Sequence, residues 1–216
     1  MMNNTIGGGN LSMGSFSMNS NTTGEYNAAL GLTAMRYNTT GTRNIALGSD
    51  AMGKNTTGSY NVGIGTAALR DNNANNFSVA IGYQAMMYAN NTSTSIATGN
   101  TAIGYEALRG SENSINNTGT NNTVLGSQGL TNNTTGWGNT AIGVNSLKLN
   151  TTGNDNVAIG AGAASKNTIG EQNVALGTLS MTENTIGGGN VGLGAHALQN
   201  NISGNFNSAL GQGALS

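Results

Sequence analysis

A glycine that follows a short apolar run recurs at a nearly constant spacing along the whole chain of 216 residues. Nine of the intervals between these glycines are 17 residues long, and two consecutive intervals are 22 residues long. The twelve positions are Gly14, Gly31, Gly48, Gly65, Gly82, Gly104, Gly126, Gly143, Gly160, Gly177, Gly194 and Gly211. A period this short indicates one structural unit stacked on itself. The sequence therefore predicts a single repeat array over residues 1–216, with twelve coils.

Each repeat can be numbered from its glycine, position 0, so that negative positions precede it. Position −1 is Ile, Leu or Met in every repeat, position −2 is small or Val, and position −3 is often Val. This alternation with period two predicts a strand from −4 to −1. A second apolar residue at +4, Leu or Met in all repeats except at Ala164, predicts a second strand around +2 to +5. The predicted fold class is therefore all-β: a parallel β-roll or β-solenoid of about twelve 17-residue coils.

The small residues at −2 lie on the opposite strand face from the larger residues at −1 and −3. They repeat as Ala, Gly, Ser or Val without a charged residue among them. A face of small side chains permits the close approach of another backbone, so we expect the −2 face to contact a second chain. Each coil also offers few large apolar side chains to offset its backbone entropy. Both features favour an oligomer.

Asparagine occupies position −4 in every repeat except one, where Ser78 replaces it. Stacked coils place such side chains about 4.8 Å apart, where their amides can bond to one another as a ladder. The predicted ladder comprises Asn10, Asn27, Asn44, Asn61, Asn100, Asn122, Asn139, Asn156, Asn173, Asn190 and Asn207. Twelve coils at this spacing give a rod roughly 58 Å long.

A second glycine, at −7, ends the recurring Asn-Thr-Thr-Gly turn. It is present as Gly24, Gly41, Gly58, Gly136, Gly153, Gly170, Gly187 and Gly204. A glycine this regular in a turn predicts a backbone conformation with positive φ.

Three segments resemble the head repeat of YadA-type trimeric autotransporter adhesins: residues 78–82, 156–160 and 173–177, which read SVAIG, NVAIG and NVALG. The longer unit NTTGWGNTAIG, residues 133–143, is similar to repeats of phage and bacterial tail-fibre-like proteins. The resemblance covers essentially the whole chain. It implies a left-handed parallel β-roll wound as a homotrimer, with a role in surface attachment or as a fibre shaft. The adhesin coil is shorter, and this chain shows neither a membrane-anchor region nor a coiled-coil stalk.

Composition excludes several classes of function. Charged residues make up 7% of the chain and the net charge is −1, whereas nucleic-acid binding requires clustered Lys and Arg; the seven basic residues are spread along the sequence. There is no Cys and hence no disulfide or thiolate metal site. No segment is apolar for long enough to insert into a membrane. The first residues lack the features of a secretory signal, so we expect an excised piece of a longer chain, or release by another route such as lysis.

Few residues in the sequence are placed to form a catalytic site. The eight acidic residues occupy different repeat positions, and Glu106 and Glu112 form the only close pair. His196 is the only histidine and falls at the outward position +2, where a solvated surface residue is expected. We therefore predict no enzyme, no cofactor and no metal site.

The two longer intervals contain five-residue insertions, near residues 89–93 and 110–114. Insertions on successive coils should emerge side by side, on what is often the binding face of a solenoid. Aromatic and polar side chains there suit a sugar or a protein surface, although the loops could equally brace neighbouring chains of a trimer. The candidate ligand-binding residues are Tyr83, Tyr88, Tyr105, Asn90, Asn91, Glu112 and Asn113.

A file of threonines also aligns between repeats, and a flat exposed file of this kind could match an ice lattice. It includes Thr22, Thr39, Thr56, Thr134, Thr151, Thr168 and Thr185. Several Asn-x-Ser/Thr sequences accompany it, at Asn21, Asn38, Asn55, Asn133 and Asn150. They are either glycosylation sites or turn residues, and we favour turn chemistry.

These features predict a structural or adhesive segment of an extracellular attachment fibre, either a phage tail fibre of the virion or a bacterial surface adhesin. Its expected partners are copies of itself and a cell-surface glycan or protein receptor, with no nucleic acid and no membrane insertion. A self-assembling filament subunit that stacks end to end is the alternative, and an ice-binding protein is a third hypothesis.

Overall fold

The protein is a β-solenoid whose coils stack with one strand each. The computed structural model describes residues 5–89, 92–113 and 116–216. Twelve strands form one parallel sheet in sequence order. They are β1 (Leu11–Met13), β2 (Ala28–Leu30), β3 (Ile45–Leu47), β4 (Val62–Ile64), β5 (Val79–Ile81), β6 (Thr101–Ile103), β7 (Thr123–Leu125), β8 (Thr140–Ile142), β9 (Val157–Ile159), β10 (Val174–Leu176), β11 (Val191–Leu193) and β12 (Ser208–Leu210). The predicted fold class, an all-β solenoid of about twelve coils, is confirmed.

Each repeat position pairs with the same position in the next coil, so the sheet has no register shift. Val157 pairs with Val174 and Ile159 pairs with Leu176, for example. The register also holds across the insertion coils, where β5 pairs with β6 through Ile81 and Ile103. The five extra residues of each long repeat are therefore accommodated outside the strands.

The predicted second strand is wrong, because the +2 to +5 segment forms a series of turns. Residues at +2 and +4 have left-handed backbone conformations; in the third coil, φ is 58° at Asp50 and 51° at Met52. This alternation turns successive peptide groups in opposite directions along the stack. The N–H of Asp50 donates to Leu32 of the preceding coil at 2.8 Å, and that of Met52 donates to Ala68 of the following coil at 2.9 Å. Backbone hydrogen bonds thus continue between coils without a strand.

The core lies between the −2 side chains of the sheet and the +3 and +4 side chains of the turn segment. Ala158 at −2, Ala163 at +3 and Met181 at +4 are fully or almost fully buried. The expectation that the −2 face contacts another chain is therefore wrong, since this face is the inside of the coil. The strand burial pattern, with a buried residue between two more exposed ones, shows that the −1 and −3 side chains point outward.

The two glycine positions serve different purposes. The position-0 glycines have φ between 118° at Gly211 and 142° at Gly126, a region that favours glycine. The −7 glycines do not have positive φ, so that prediction is wrong. A Cβ at Gly170 would lie 2.4 Å from both Asn167 Oδ1 and the Gly187 carbonyl oxygen. Glycine is required at −7 because adjacent coils leave no room for a side chain.

Two ladders of buried asparagines run along the interior. At −4, Asn173 donates through its backbone N–H and its Nδ2 to Asn156 Oδ1, at 3.0 and 3.1 Å, and its Nδ2 also donates to the Gly187 carbonyl at 2.8 Å. The second ladder, which the sequence analysis did not identify, is at +7. There Asn167 Nδ2 donates to Asn150 Oδ1 at 2.9 Å and to the Gly170 carbonyl. Both ladders fasten successive coils to one another outside the insertion coils, and they close the Asn-Thr-Thr-Gly turn.

Candidate functional site

The outer face of the sheet is a mainly apolar strip, defined as the side chains at −3 and −1 of β1 to β12, with Thr101, Thr123, Thr140 and Ser208 as its polar members at −3. It contains no charged residue, and position −1 is apolar in every coil. Several members are exposed. Ile45, Ile103, Leu125 and Ile159 are exposed although strands lie on both sides of them, and Leu11, Met13 and Leu210 are exposed on the outermost strands β1 and β12. Exposed apolar surface that is continuous in this way is typical of an interaction site.

A cavity lies where the two insertions meet the body of the solenoid. With its open mouth it encloses about 360 Å³ of empty space. Its wall consists of Asn75, Ser78, Met86, Tyr88, Ala89, Thr98, Asn100, Leu108, Gly110, Asn117, Gly119, Asn133 and Thr134. Eight of these residues carry an amide or hydroxyl group, and Met86 and Leu108 are the larger apolar members. No charged side chain belongs to the part of the wall that the described residues form.

Contacts between the two insertion regions hold this cavity in place. Asn117 donates its Nδ2 to the Tyr88 carbonyl and to the Ser111 carbonyl, the second at 2.8 Å. Asn117 Oδ1 accepts a hydrogen bond from the Ser111 N–H at 3.2 Å. The second insertion is thereby tied to the coil that carries the first.

The predicted tyrosines do not form one site. Tyr83 and Tyr105 stack on each other, with ring centroids 5.6 Å apart and planes at 7°, so the facing sides of their rings are unavailable to a sugar. Neither residue lines the cavity. The nearby Glu106 carboxylate raises the pKa of Tyr105.

Among the other predicted ligand residues that the structure describes, only Tyr88 lines the cavity. Its ring lies between two guanidinium groups, with Arg70 Cζ at 5.4 Å and Arg109 Cζ at 5.0 Å from the centroid. Asn90 and Asn91 lie outside the described residues. Glu112 and Asn113 are exposed, and neither contributes to the cavity wall.

No catalytic arrangement is formed by the acidic residues that drew attention in the sequence. Glu106 accepts a hydrogen bond from Gln128 Nε2 at 2.8 Å, whereas Glu112 lies 4.0 Å from Arg109. His196 Nδ1 is 2.9 Å from Gln199 Oε1. Within residues 5–89, 92–113 and 116–216, no group of three His, Cys, Asp or Glu side chains is placed to hold a metal ion.

The basic residues, although dispersed in sequence, share one edge of the solenoid. Six of the seven stand at position +5 or +6: Arg36, Lys54, Arg70, Arg109, Lys148 and Lys166. Acidic neighbours neutralise part of this edge. Asp71 Oδ1 lies 3.1 Å from Lys54 Nζ and 2.7 Å from Arg70 Nε, and Glu183 pairs with Lys166 at 2.7 Å. The edge is therefore a network of ion pairs and not a strongly positive patch.

A file of aromatic and guanidinium groups at −5 was not identified in the sequence. The Arg43 guanidinium lies 5.4 Å from the Tyr26 ring and 5.5 Å from the Tyr60 ring. Tyr60 in turn stacks on Phe77, with centroids 5.2 Å apart. The 17-residue spacing between Tyr26, Arg43, Tyr60 and Phe77 is the sequence signal that could have revealed this file. Because the groups cover one another's faces, the file stabilises the stack more than it offers a binding platform.

The threonine file is built into the solenoid. Thr151 Oγ1 donates to the Thr168 carbonyl at 3.0 Å and Thr168 Oγ1 donates to the Thr185 carbonyl at 2.9 Å. The hydroxyl protons at this position are therefore engaged between coils. The Asn-x-Ser/Thr asparagines at +7 are buried, with Asn21, Asn38 and Asn55 at 0% exposure, which favours their turn and ladder role over glycosylation.

Comparison with known proteins identifies no related family, curated protein or solved structure: none of the three searches gives a match. Among the described residues, no helix has the length and apolar character required to cross a membrane.

Proposed function

We propose that this chain is a non-enzymatic, rod-shaped segment of an extracellular attachment fibre, in which copies of the chain pack through their apolar strips. The observation that carries the proposal is the outer sheet face, where uncharged −3 and −1 side chains continue through all twelve strands. Rigid presentation of several identical binding sites then multiplies weak single-site affinity.

The dimensions of the strip support an interface between copies. Twelve strands about 4.8 Å apart, each with two outward residues about 7 Å apart, give a strip of roughly 55 Å by 10 Å, or about 550 Å². Two facing strips would bury about 1,100 Å², which is above the ~1,000 Å² expected of a specific interface. The assembly of three chains is proposed from the resemblance to trimeric adhesin heads.

A second candidate is a filament that grows end to end. The outermost strands β1 and β12 each have one neighbour, and Phe206 and Leu210 beside β12 are 85% and 81% exposed. Open strand edges of this kind pair readily with another coil. In the attachment fibre, further coils or a neighbouring domain would cover them.

Electron microscopy of the purified chain, combined with binding to intact bacterial cells, separates these functions. The attachment fibre predicts discrete rods about 55–60 Å long that adhere to cells. Long filaments of uniform width would favour end-to-end stacking. Inhibition of ice recrystallisation without cell binding would instead support the ice-binding hypothesis.

A further inference from the structure

Both asparagine ladders break beside the cavity. In the −4 ladder Ser78 stands where the neighbouring coils have asparagine, and in the +7 ladder Ala89 and Ser111 precede Asn133. Asn100 is the first −4 asparagine after the break, and Asn133 is the first at +7. Both of them line the cavity. The cavity is therefore bordered by the residues with which the two ladders resume.

Asn100 lacks the acceptor that its ladder normally provides. In the regular −4 ladder, the backbone N–H and Nδ2 both donate to the Oδ1 of the preceding asparagine. The preceding residue here is Ser78, whose hydroxyl is paired with Thr98 Oγ1 at 2.5 Å. Among the described residues, Asn100 donates only from Nδ2 to the Gly119 carbonyl, at 2.8 Å. Its backbone N–H and its second Nδ2 proton have no acceptor in this part of the chain.

Asn133 has the same deficiency in the other ladder. Each regular +7 Nδ2 donates both to the preceding Oδ1 and to a glycine carbonyl. Within the part of the chain that the structure describes, Asn133 Nδ2 keeps only the second bond, to Gly136 at 2.8 Å, because the preceding position is Ser111. A Cβ built on Gly119 would lie 2.6 Å from this Nδ2. The unpaired donors of both ladders therefore lie in one region of the wall, around Gly119.

These two residues have surface that is open to the cavity. Asn100 and Asn133 are 5% and 3% exposed, whereas the next members of their ladders, Asn122 and Asn150, are 0% exposed. Because Asn100 and Asn133 form part of the cavity wall, their exposed surface faces the cavity. Buried donors without a partner are costly, so a bound group that supplies acceptor atoms is favoured at this place.

The size and lining of the cavity select the kind of acceptor. Its enclosed part measures about 30 Å³, and one water requires roughly 10–15 Å³ on the same measure. It therefore holds a group of a few heavy atoms, with a larger body left in the open mouth. No acidic side chain belongs to the wall that the described residues form. A carboxylate is a group of this size that only accepts hydrogen bonds, and N–H donors stabilise its charged form.

We propose that the cavity binds a carboxylate group, whose oxygens replace the ladder oxygens that are missing beside Asn100 and Asn133. One oxygen accepts from the N–H groups of Asn100 and the other accepts from Asn133 Nδ2, while the rest of the ligand lies in the open mouth. The carboxylate belongs either to an acidic sugar of a surface glycan or to a free small organic acid. The glycan source rests on the proposed attachment role, whereas the site itself does not.

The test compares two small ligands that differ in charge but hardly in shape. Acetate and acetamide are titrated separately into the isotope-labelled full chain at neutral pH, and the amide signals of Asn100 and Asn133 are followed by nuclear magnetic resonance. Acetate should shift these signals and bind roughly tenfold or more tightly than acetamide, because hydrogen bonds to a charged acceptor are the stronger ones. Equal binding of acetamide, or no binding of either ligand because only water enters the cavity, would overturn the proposal.

Ser78→Asn supplies one missing oxygen from the protein itself. Because the new Oδ1 accepts from Asn100, acetate binding should weaken roughly tenfold or more while Tm rises by about 2–4 °C. Ser15→Asn makes the same substitution at an exposed position and should change neither property. Undiminished acetate binding by a folded Ser78→Asn variant would contradict the proposal, and the comparison of acetate with acetamide decides it without any variant.

Glucuronic acid and glucose distinguish the two sources of the carboxylate. Binding of glucuronate that is tighter than that of acetate, without binding of glucose, supports the site and assigns it to an acidic sugar. Binding of acetate alone supports the site and assigns it to a small free acid. Rods that adhere to cells but bind no carboxylate would leave the attachment function standing and remove this site. Carboxylate binding by a chain that adheres to nothing would support the site and remove the attachment role.

Discussion

At the scale of single residues, the asparagines determine how the coils are held together. A typical −4 asparagine accepts two hydrogen bonds from the next coil and donates one to a glycine carbonyl, as Asn156 does with Asn173 and Gly170. Amides can satisfy one another in this way indefinitely along the stack, because each offers both a donor and an acceptor. Polar side chains can therefore fill the interior while most of their donors and acceptors are paired.

Asn156→Ala should lower the free energy of unfolding by about 2–4 kcal/mol, because it leaves the Asn173 N–H groups and the Gly170 carbonyl unpaired in a buried site. Urea denaturation followed by circular dichroism measures the change. Gln172→Ala, at an exposed neighbouring position, should change stability by less than about 0.5 kcal/mol. Equal effects of the two substitutions would show that the ladder contributes no special stability.

Asp50 gives the fold a pH dependence. Burial raises its pKa above the ordinary value of 3.8, with Arg70 acting in the opposite direction and Asp71 in the same direction. A raised folded pKa means that the folded state holds this proton more tightly, so the contribution of Asp50 to stability is greatest at low pH and declines as the pH rises through the folded pKa.

Asp50→Asn should therefore be more stable than the wild type near neutral pH, and this advantage should shrink as the pH falls to about 3. Asparagine tolerates the left-handed conformation required at +2, as Asn145 does with φ of 59°. Thermal unfolding of both proteins across this pH range tests the prediction. An advantage that stays constant with pH would show that ionisation of Asp50 is not its cause.

Some repeat positions could be interpreted from the sequence alone and others could not. The −4 asparagines could be assigned to a ladder because a buried polar contact is the simplest reason for such strict repetition. The left-handed conformations at +2 and +4 had no such signal, since Phe16, Thr33 and Met35 are unlike the usual glycine or asparagine. The −7 glycines were misinterpreted because positive φ and lack of space select the same amino acid.

At the scale of the coil, the strand and the turn segment both contribute buried side chains to the core. The −2 position of the strand contributes a small side chain to the core, and the +4 position contributes the large one, as Ala175 and Met181 do. The repeat pattern predicted a strand at −4 to −1, and the structure has one at −3 to −1. The pattern did not reveal which face points inward, because both faces are apolar and only the turn geometry decides between them.

Met181→Ala should lower the free energy of unfolding by about 2–5 kcal/mol, since it removes a fully buried side chain from a core only one layer thick. Leu149→Ala, whose side chain is 38% exposed, is the matched control and should cost less. Urea denaturation measures both changes. Equal losses of unfolding free energy in the two variants would contradict the assignment of the +4 side chains to the core.

At the scale of the whole molecule, equivalent residues of successive coils pair directly with one another. Each repeat position therefore forms a line along the rod, and the rod has four distinct surfaces. The apolar strip runs along all twelve strands, and the ion-paired edge, the threonine file and the shorter aromatic file from Tyr26 to Phe77 form in the same way, because equivalent positions stack. The insertions disturb this regularity at one place and open the cavity there. The sequence located the insertions, but the cavity wall also depends on the small residues at Ser78 and Ala89, whose effect appears only when the ladders are seen.

The central claim is that copies of the chain cover one another's apolar strips. Mass photometry should find the wild-type chain at three times its 21.7 kDa mass. A variant with Ile142→Asn and Ile159→Asn, on the outward side of adjacent strands β8 and β9, should remain folded by circular dichroism and have the mass of a single chain. A wild-type chain that is monomeric at micromolar concentration, or a variant that assembles as well as the wild type, would contradict this account.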